Sequence, residues 1–404
     1  FTGITARLKP HVSLPLITTN RINMPDVAER ILAAGEADMV SMARPLLADP
    51  HWVNKAREQR AADINTCIAC NQACLDHVFE NKTASCLVNP RACAETELNY
   101  GPTAAPKRIA VVGAGPAGMA CATVAAERGH RVTLFEAGDA IGGQFNLAKR
   151  IPGKEEFHET LRYFGRRIEQ TGVDLRLRTR ADAAALAGFD AVVLATGIQP
   201  RAVDLLGSDH PKVVGYLDVL SGRVVPGRRV AIVGAGGIGF DVAEFLVHGD
   251  GHGSSLDAAR WRAEWGVDLG YDGNRGGLAP PRPEPPAREV WLLQRSPGKP
   301  GARLGKTTGW IHRATLKAKQ VRMLGGVEYL GVDDEGLHIR VDGSDQTLPV
   351  DQVVICAGQE PFKPLQTELA ASGLPVHVIG GADVAAELDA KRAISQGSRL
   401  AAAL

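Results

Sequence analysis

RIAVVGAGPAGMACATVAAERGHRVTLFE, residues 108–136, reads as a strand, a glycine turn, a helix and a second strand in close succession. The apolar, β-branched run at 108–112 has the unbroken hydrophobicity of a strand buried on both faces of a parallel sheet. Gly113, Gly115 and Gly118 follow it. Lacking side chains, they permit the tight turn, the approach of backbone to a pyrophosphate and the close packing of helix on strand. The helix N-terminus around Ala117 adds N–H donors and a partial positive charge. Glu136 ends the second strand, 23 residues after Gly113, where a carboxylate accepts hydrogen bonds from both hydroxyls of an adenosine ribose. Three glycines alone are weak evidence, but three set between two strands and followed at that distance by an acid predict a dinucleotide site in an α/β domain.

The unit recurs at RRVAIVGAGGIG (228–239), where Gly234, Gly236 and Gly239 again open a helix. Its second strand, EVWLLQR (289–295), ends on Gln294 and Arg295 where the first copy has Glu136. A cation there pairs with a ribose 2′-phosphate that a carboxylate repels, so the expected ligand is NADPH. The competing reading makes Arg295 a solvated surface charge. Residues 248–288, rich in Gly, Pro and Trp, interrupt this second copy as an expected long insertion of unreadable role. AVVLATG (191–197) and QVVICAG (352–358) are apolar strands that each close on a small residue and Gly, leaving backbone accessible to a ligand.

Upstream, VSLPLITTN (12–20) and ADMVSMAR (37–44) read as short buried strands flanking a helix from Pro25 to Gly35. This βαβ unit ends near residue 64, a third or less of a closed (β/α)8 barrel, so it is either the stump of a barrel or an unusual cap. Arg21 and Arg44 follow the two strands. The last two such loops of a barrel commonly build a phosphate site, so the pair suits an FMN phosphate; the alternative is a pair of surface salt bridges. Cys67, Cys70, Cys74 and Cys86 then form a C-x2-C-x3-C-x11-C array. Three close thiolates and a returning fourth suit a [4Fe-4S] cluster, whose irons each need a soft anionic ligand. Structural zinc usually takes two separated C-x2-C pairs and is the weaker reading; fortuitous cysteines are weaker still. Cys121 and Cys356 read as packed, inert thiols, and Cys93 is ambiguous on spacing alone.

The whole is consistent with 404 residues, enough for two or three domains, and with 45% hydrophobic residues, enough for each to bury a core. Lys plus Arg number 46 against 45 Asp plus Glu, so no global cationic field is available to hold nucleic acid or an anionic membrane. No apolar run reaches the roughly 18 residues of a membrane span. Seven cysteines, four of them within twenty residues, fit a metal site in a reducing compartment, and the cytoplasm is the expected location. An opening without Met and without a secretory layout is expected of a fragment.

TTNRI (18–22), SMARPLLADP (41–50), CIACNQACLD (67–76), CLVNPRAC (86–93), VVGAGPAG (111–118), IGGQFN (141–146), IPGKEEF (151–157), GKTTGWIHR (305–313) and CAGQEP (356–361) together resemble the bacterial 2,4-dienoyl-CoA reductases. These are iron–sulfur flavoenzymes of the old-yellow-enzyme and trimethylamine-dehydrogenase type, and the resemblance covers essentially the whole chain. It implies an architecture in which the end of an FMN-binding (β/α)8 barrel (1–64) precedes a [4Fe-4S] segment (65–100). An FAD domain in two parts (101–210 and 351–404) would follow, with an NADPH domain (211–350) inserted in it. Carried over by position, Arg21, Ala43 and Arg44 would contact FMN, and Cys67, Cys70, Cys74 and Cys86 would ligate the cluster while Cys93 would not. FAD would be held by the turn around Ala117, by Glu136, Gln144 and Lys154, and by Asp383 in IGGADVAAELDA (379–390). IGGQ resembles the second glycine pair of two-dinucleotide flavoproteins, which favours FAD in the first copy, and Arg295 would contact NADPH. The Tyr and His that serve the substrate would lie in the missing barrel units, so no catalytic residue is expected in this chain.

The implied reaction is NADPH-dependent reduction of a 2,4-dienoyl-CoA in unsaturated fatty acid β-oxidation. NADPH gives up two electrons as hydride and a cluster accepts them singly, so electrons would pass from NADPH to FAD, cluster, FMN and substrate. Rival readings are a related enoate or steroid-type reductase, an amine dehydrogenase resembling trimethylamine dehydrogenase, and a non-catalytic electron-transfer module.

Overall fold

The strand Arg108–Val112 is the middle of five parallel strands, in the order 376–378, 191–194, 108–112, 131–135 and 174–176. From Ile109 onward its residues are buried, as the unbroken apolar run requires of a strand covered on both faces. The computed structural model describes residues 1–248, 253–271, 275–386 and 389–404. These fall into two units: Phe1–Phe145 with Glu156–Gly197 and Pro361–Leu404, and Asn146–Glu155 with Ile198–Glu360.

In the first unit, helix Pro116–Glu127 begins with Pro at its first position, where a missing N–H costs nothing. Its small residues let the C-terminal helix Ala390–Ala403 lie so close that a Cβ at Gly397 would stand 2.3 Å from the Ala117 carbonyl oxygen. Helix Phe157–Thr171 buries Thr160, Phe164 and Ile168, one stripe at four-residue spacing, and ends on left-handed Gly172. Its polar side braces the segment that leads into Cys67. Arg162 donates to the carbonyls of Ala62 and Ile64, and Arg166 Nε stands 3.0 Å from Asp63 Oδ1. The cysteine segment shares one apolar core with the first sheet, Cys67, Ile68, Leu87 and Val88 packing in the same cluster as Val111, Met119 and Phe145.

The N-terminal strands are a parallel pair of only two residues each, Ile17–Thr18 and Met39–Val40, around helix Pro25–Ala33. They fall short of the runs 12–20 and 37–44. Among the described residues no third strand flanks them, and a lone parallel pair gains little from further pairing.

The second unit repeats the plan with five parallel strands in the order 322–324, 289–293, 229–233, 352–355 and 213–215. An antiparallel sheet of Glu328–Val332, Leu337–Val341 and Ser344–Leu348 accompanies it. Of the expected insertion 248–288, residues 249–252 and 272–274 lie outside the described residues. The remainder includes helix Ala258–Trp265, whose N-cap Asp257 accepts from the backbone N–H groups of Ala259 and Arg260. Buried Lys319 ties this insertion down, its Nζ 3.0 Å from Glu264 Oε1 and 3.1 Å from the Glu284 carbonyl oxygen.

Helix Gly237–Val247 is joined to helix Gly309–Ala318 by a charged pair, His312 Nδ1 standing 2.7 Å from Oε1 of buried Glu244. Burial disfavours the imidazolium and Lys154 adds to that, but the hydrogen bond and charge of Glu244, with Asp241, prevail and raise the His312 pKa. A raised folded pKa contributes stability that is full below the unfolded value, about 6.5, and is lost as pH climbs through the folded value. Thermal melts of the wild-type chain are therefore expected to lose more between about pH 6 and pH 9 than those of His312→Gln. Parallel pH dependence in the two proteins would contradict the pair's role.

Candidate functional site

The two glycine turns use their glycines in two different ways. Gly113 has φ 105°, and a Cβ there would lie 2.5 Å from the Ala195 carbonyl oxygen; one at Gly118 would lie 1.9 Å from the Gly113 oxygen. These two are required by the protein's own packing. Gly115 caps helix Pro116–Glu127, and a Cβ on it would meet nothing within 4 Å. Its lack of a side chain keeps space open at the helix N-terminus, where an anion gains from N–H donors and dipole. In the second unit Gly234 and Gly239 are held against Cys356 and Gly234 respectively, while Gly236 caps helix Gly237–Val247 and faces open space.

Around the first turn the chain gathers several of the expected residues. Glu136 Oε2 accepts from Ala114 N–H at 2.9 Å and its Oε1 from Gly138 N–H at 2.7 Å, which fixes the carboxylate on the rim of the turn. The IGGQ loop crosses the mouth, Gly142 N–H donating to the Ala114 carbonyl at 2.8 Å and Gly143 facing Gly115, with Gln144 next in line. Gly380 packs on Ala117, and three residues later Asp383 Oδ2 accepts from Gln396 Nε2 at 2.8 Å. Lys154 belongs to the second unit, its Nζ 2.6 Å from both carboxylate oxygens of Asp241. Arg295 is exposed, two residues past the strand Glu289–Leu293.

Cys67, Cys70, Cys74 and Cys86 line one pocket, together with Arg44. None is in a disulfide. Ala69 and Asn71, between the first three, adopt left-handed φ of 53° and 60°. Such backbone turns successive N–H groups to one side, a concavity suited to anions and iron–sulfur sites, and it stores strain that surrounding structure must hold. The backbone N–H groups of Ala69, Gln72, Val88 and Asn89 donate to the sulfurs of Cys67, Cys70 and Cys86. Burial pushes the Cys70 and Cys86 thiols up to about 12, a shift that a coordinated metal reverses by holding the thiolate. Among the described residues no three His, Cys, Asp or Glu converge as ligands of a single ion. Cys121 and Cys356 are buried elsewhere, with thiols raised by desolvation, and Cys93 is exposed.

The two N-terminal arginines have protein partners. Arg21, itself at φ 57°, stands 2.9 Å from Glu156 Oε2, and Arg44 Nη1 donates to Asn71 Oδ1 at 2.8 Å. Ala43 caps the short helix Arg44–Ala48. Sequence reasoning missed Asn23, whose Nδ2 donates at 2.9 Å to both the Cys67 carbonyl and Glu156, and missed Asn71. Their only signal was the polar spacing inside TTNRIN and CIACNQAC.

Residues 107–392 match the family described as pyridine nucleotide-disulphide oxidoreductase, and residues 2–63 match the NADH:flavin oxidoreductase / NADH oxidase family. A metal reductase of Desulforamulus reducens is 36% identical over 93% of this chain and 56% of its own length. An NADH oxidase of Thermoanaerobacter brockii is 31% identical over 94% of the chain and 54% of its own. The chain thus spans about half the length of these curated relatives. Among solved structures, a 2-naphthoyl-CoA reductase in complex with 2-naphthoyl-CoA superposes with TM-score 0.87 and 29% identity, over 100% of this chain and 56% of that one. These two families imply flavin and NAD(P)H as cofactors. The chain belongs to the pyridine nucleotide-disulphide oxidoreductase family, and the segment before that match resembles the NADH:flavin oxidoreductase / NADH oxidase family.

Proposed function

We propose that this chain is the electron-input half of an NADPH-dependent iron–sulfur flavoenzyme that reduces a conjugated acyl-CoA, with 2,4-dienoyl-CoA as the substrate of the whole protein. The observation that carries the reading is the four-cysteine pocket, built into the same apolar core as the first glycine turn. When bound, NADPH supplies a hydride, FAD and FMN convert between paired and single electrons, and a [4Fe-4S] cluster carries electrons singly.

The chain's own residues each have a part in this. At the first turn, Gly115 leaves room for the FAD pyrophosphate and Glu136 orients its ribose. At the second, Gly236 does the same for NADPH, and Arg295 pairs with the 2′-phosphate. The four cysteines supply thiolates, and the N–H groups of Ala69, Gln72, Val88 and Asn89 stabilise their charge. Arg21, Ala43 and Arg44 remain assigned to FMN, whose barrel the segment 1–64 would complete. The acyl-CoA class is supported by the sequence motifs and by the likeness to a reductase named for 2-naphthoyl-CoA. No helix among the described residues is long and apolar enough to cross a membrane. A reducing cytoplasm would keep the thiols available.

An amine dehydrogenase passes electrons outward from its substrate and has no use for a working NADPH turn, so the open Gly236 and the exposed Arg295 favour the reductase. The decisive assay is anaerobic. NADPH is expected to bleach the flavin of the FAD-loaded chain, and the complete protein is expected to oxidise NADPH with a 2,4-dienoyl-CoA. Bleaching by an amine and not by NADPH would overturn the reading. In the same assay Arg295→Glu should weaken NADPH by roughly 10- to 100-fold, the worth of a charge-assisted hydrogen bond of about 1.5–3 kcal/mol, and spare NADH. Equal loss with both nucleotides would remove Arg295 from the phosphate.

A further inference from the structure

Arg44 faces the cysteine pocket. It lines the pocket with all four sulfur-bearing residues, and its Nη1 is held at 2.8 Å by the side chain of Asn71, which lies between Cys70 and Cys74 in the chain. Arg44 and Leu47 enter the pocket lining from the short helix Arg44–Ala48, while Ala69, Val88 and their neighbours enter it from the cysteine segment. We propose that Arg44 is the charge partner of the cluster itself, setting its reduction potential, with Asn71 as the tether that keeps the guanidinium on the sulfurs. This rests on the [4Fe-4S] reading above.

Taking up one electron adds no atom and makes the thiolate-ligated site one unit more negative, while oxidation by the next carrier removes that unit. A fixed cation a short distance away, in a partly buried pocket where screening is weak, stabilises the reduced form more than the oxidised form and so raises the potential. Arg44 is also the cation whose anchor lies inside the ligand loop, whereas Arg21 is committed to Glu156 at 2.9 Å.

The test uses the full chain, reconstituted anaerobically with iron and sulfide and titrated with dithionite while the reduced cluster is followed by electron paramagnetic resonance. Arg44→Gln, loaded with iron to the wild-type level, is expected to need a more negative potential for half-reduction, and Arg44→Lys, which keeps the charge, to stay near the wild type. A loaded Arg44→Gln cluster with an unchanged midpoint overturns the proposal. If Arg44→Gln does not assemble a cluster, Asn71→Ala gives the same reading, because it releases the guanidinium without removing its charge. A negative shift there is expected, and an unchanged midpoint overturns the assignment. Failure of the wild-type chain to assemble any iron would overturn the cluster reading beneath it, a result distinguishable from either of the others.

Discussion

Gly115→Ala is expected to yield a chain that folds and melts as the wild type does but does not retain FAD. The new Cβ meets no protein atom within 4 Å, and Gly115 sits at φ −75°, a conformation alanine adopts freely. The only thing in its way is what occupies the space above the helix N-terminus. A methyl between the backbone N–H groups and a pyrophosphate forfeits several charge-assisted hydrogen bonds, each worth about 1.5–3 kcal/mol, so affinity should fall by roughly 100-fold or more. Gly118→Ala is the control of opposite kind. Its Cβ would lie 1.9 Å from the Gly113 oxygen and 3.3 Å from Ala195 Cβ, so stability and flavin binding should be lost together. Calorimetry and flavin content of the two proteins check this. Retention of FAD by folded Gly115→Ala would show that the opening serves no dinucleotide.

The second large effect concerns the cysteines. Cys70→Ala is expected to remove bound iron while leaving NADPH reduction of FAD intact, because the glycine turns are built from other residues. In the complete protein the same substitution should abolish reduction of the acyl-CoA, while a two-electron dye acceptor is still reduced at the wild-type rate. Cys121→Ala, which removes a thiol buried in helix Pro116–Glu127, should leave iron content unchanged. Loss of iron in both proteins, or in neither, would separate Cys70 from any metal.

The glycine turns were legible because every link from residue to ligand is local. An apolar strand, three glycines and an acid lie within 29 residues, and the structure brings Glu136 to Ala114 within that same stretch. The cysteine array was legible as a spacing, but its surroundings were not. Which N–H groups point at sulfur depends on the left-handed turns at Ala69 and Asn71, a conformation that Asn favours but that alanine does not announce. The arginines show the same limit from the other side. Strand ends predicted that Arg21 and Arg44 would stand beside a ligand, yet their partners, Glu156 and Asn71, are 135 and 27 residues away and follow only from the tertiary fold. Lys154 is another such case, since its pairing with Asp241 spans 87 residues. The insertion after Val247 stayed unreadable because its anchor, the buried Lys319, comes from the far side of the second sheet's next strand in sequence.

Metal analysis of chain purified without oxygen tests most directly whether four thiolates hold a cubane beside the flavin fold. The account predicts about four irons and four acid-labile sulfides per chain, with a paramagnetic signal that appears on reduction by dithionite. One zinc per chain, with neither iron nor sulfide, would contradict it.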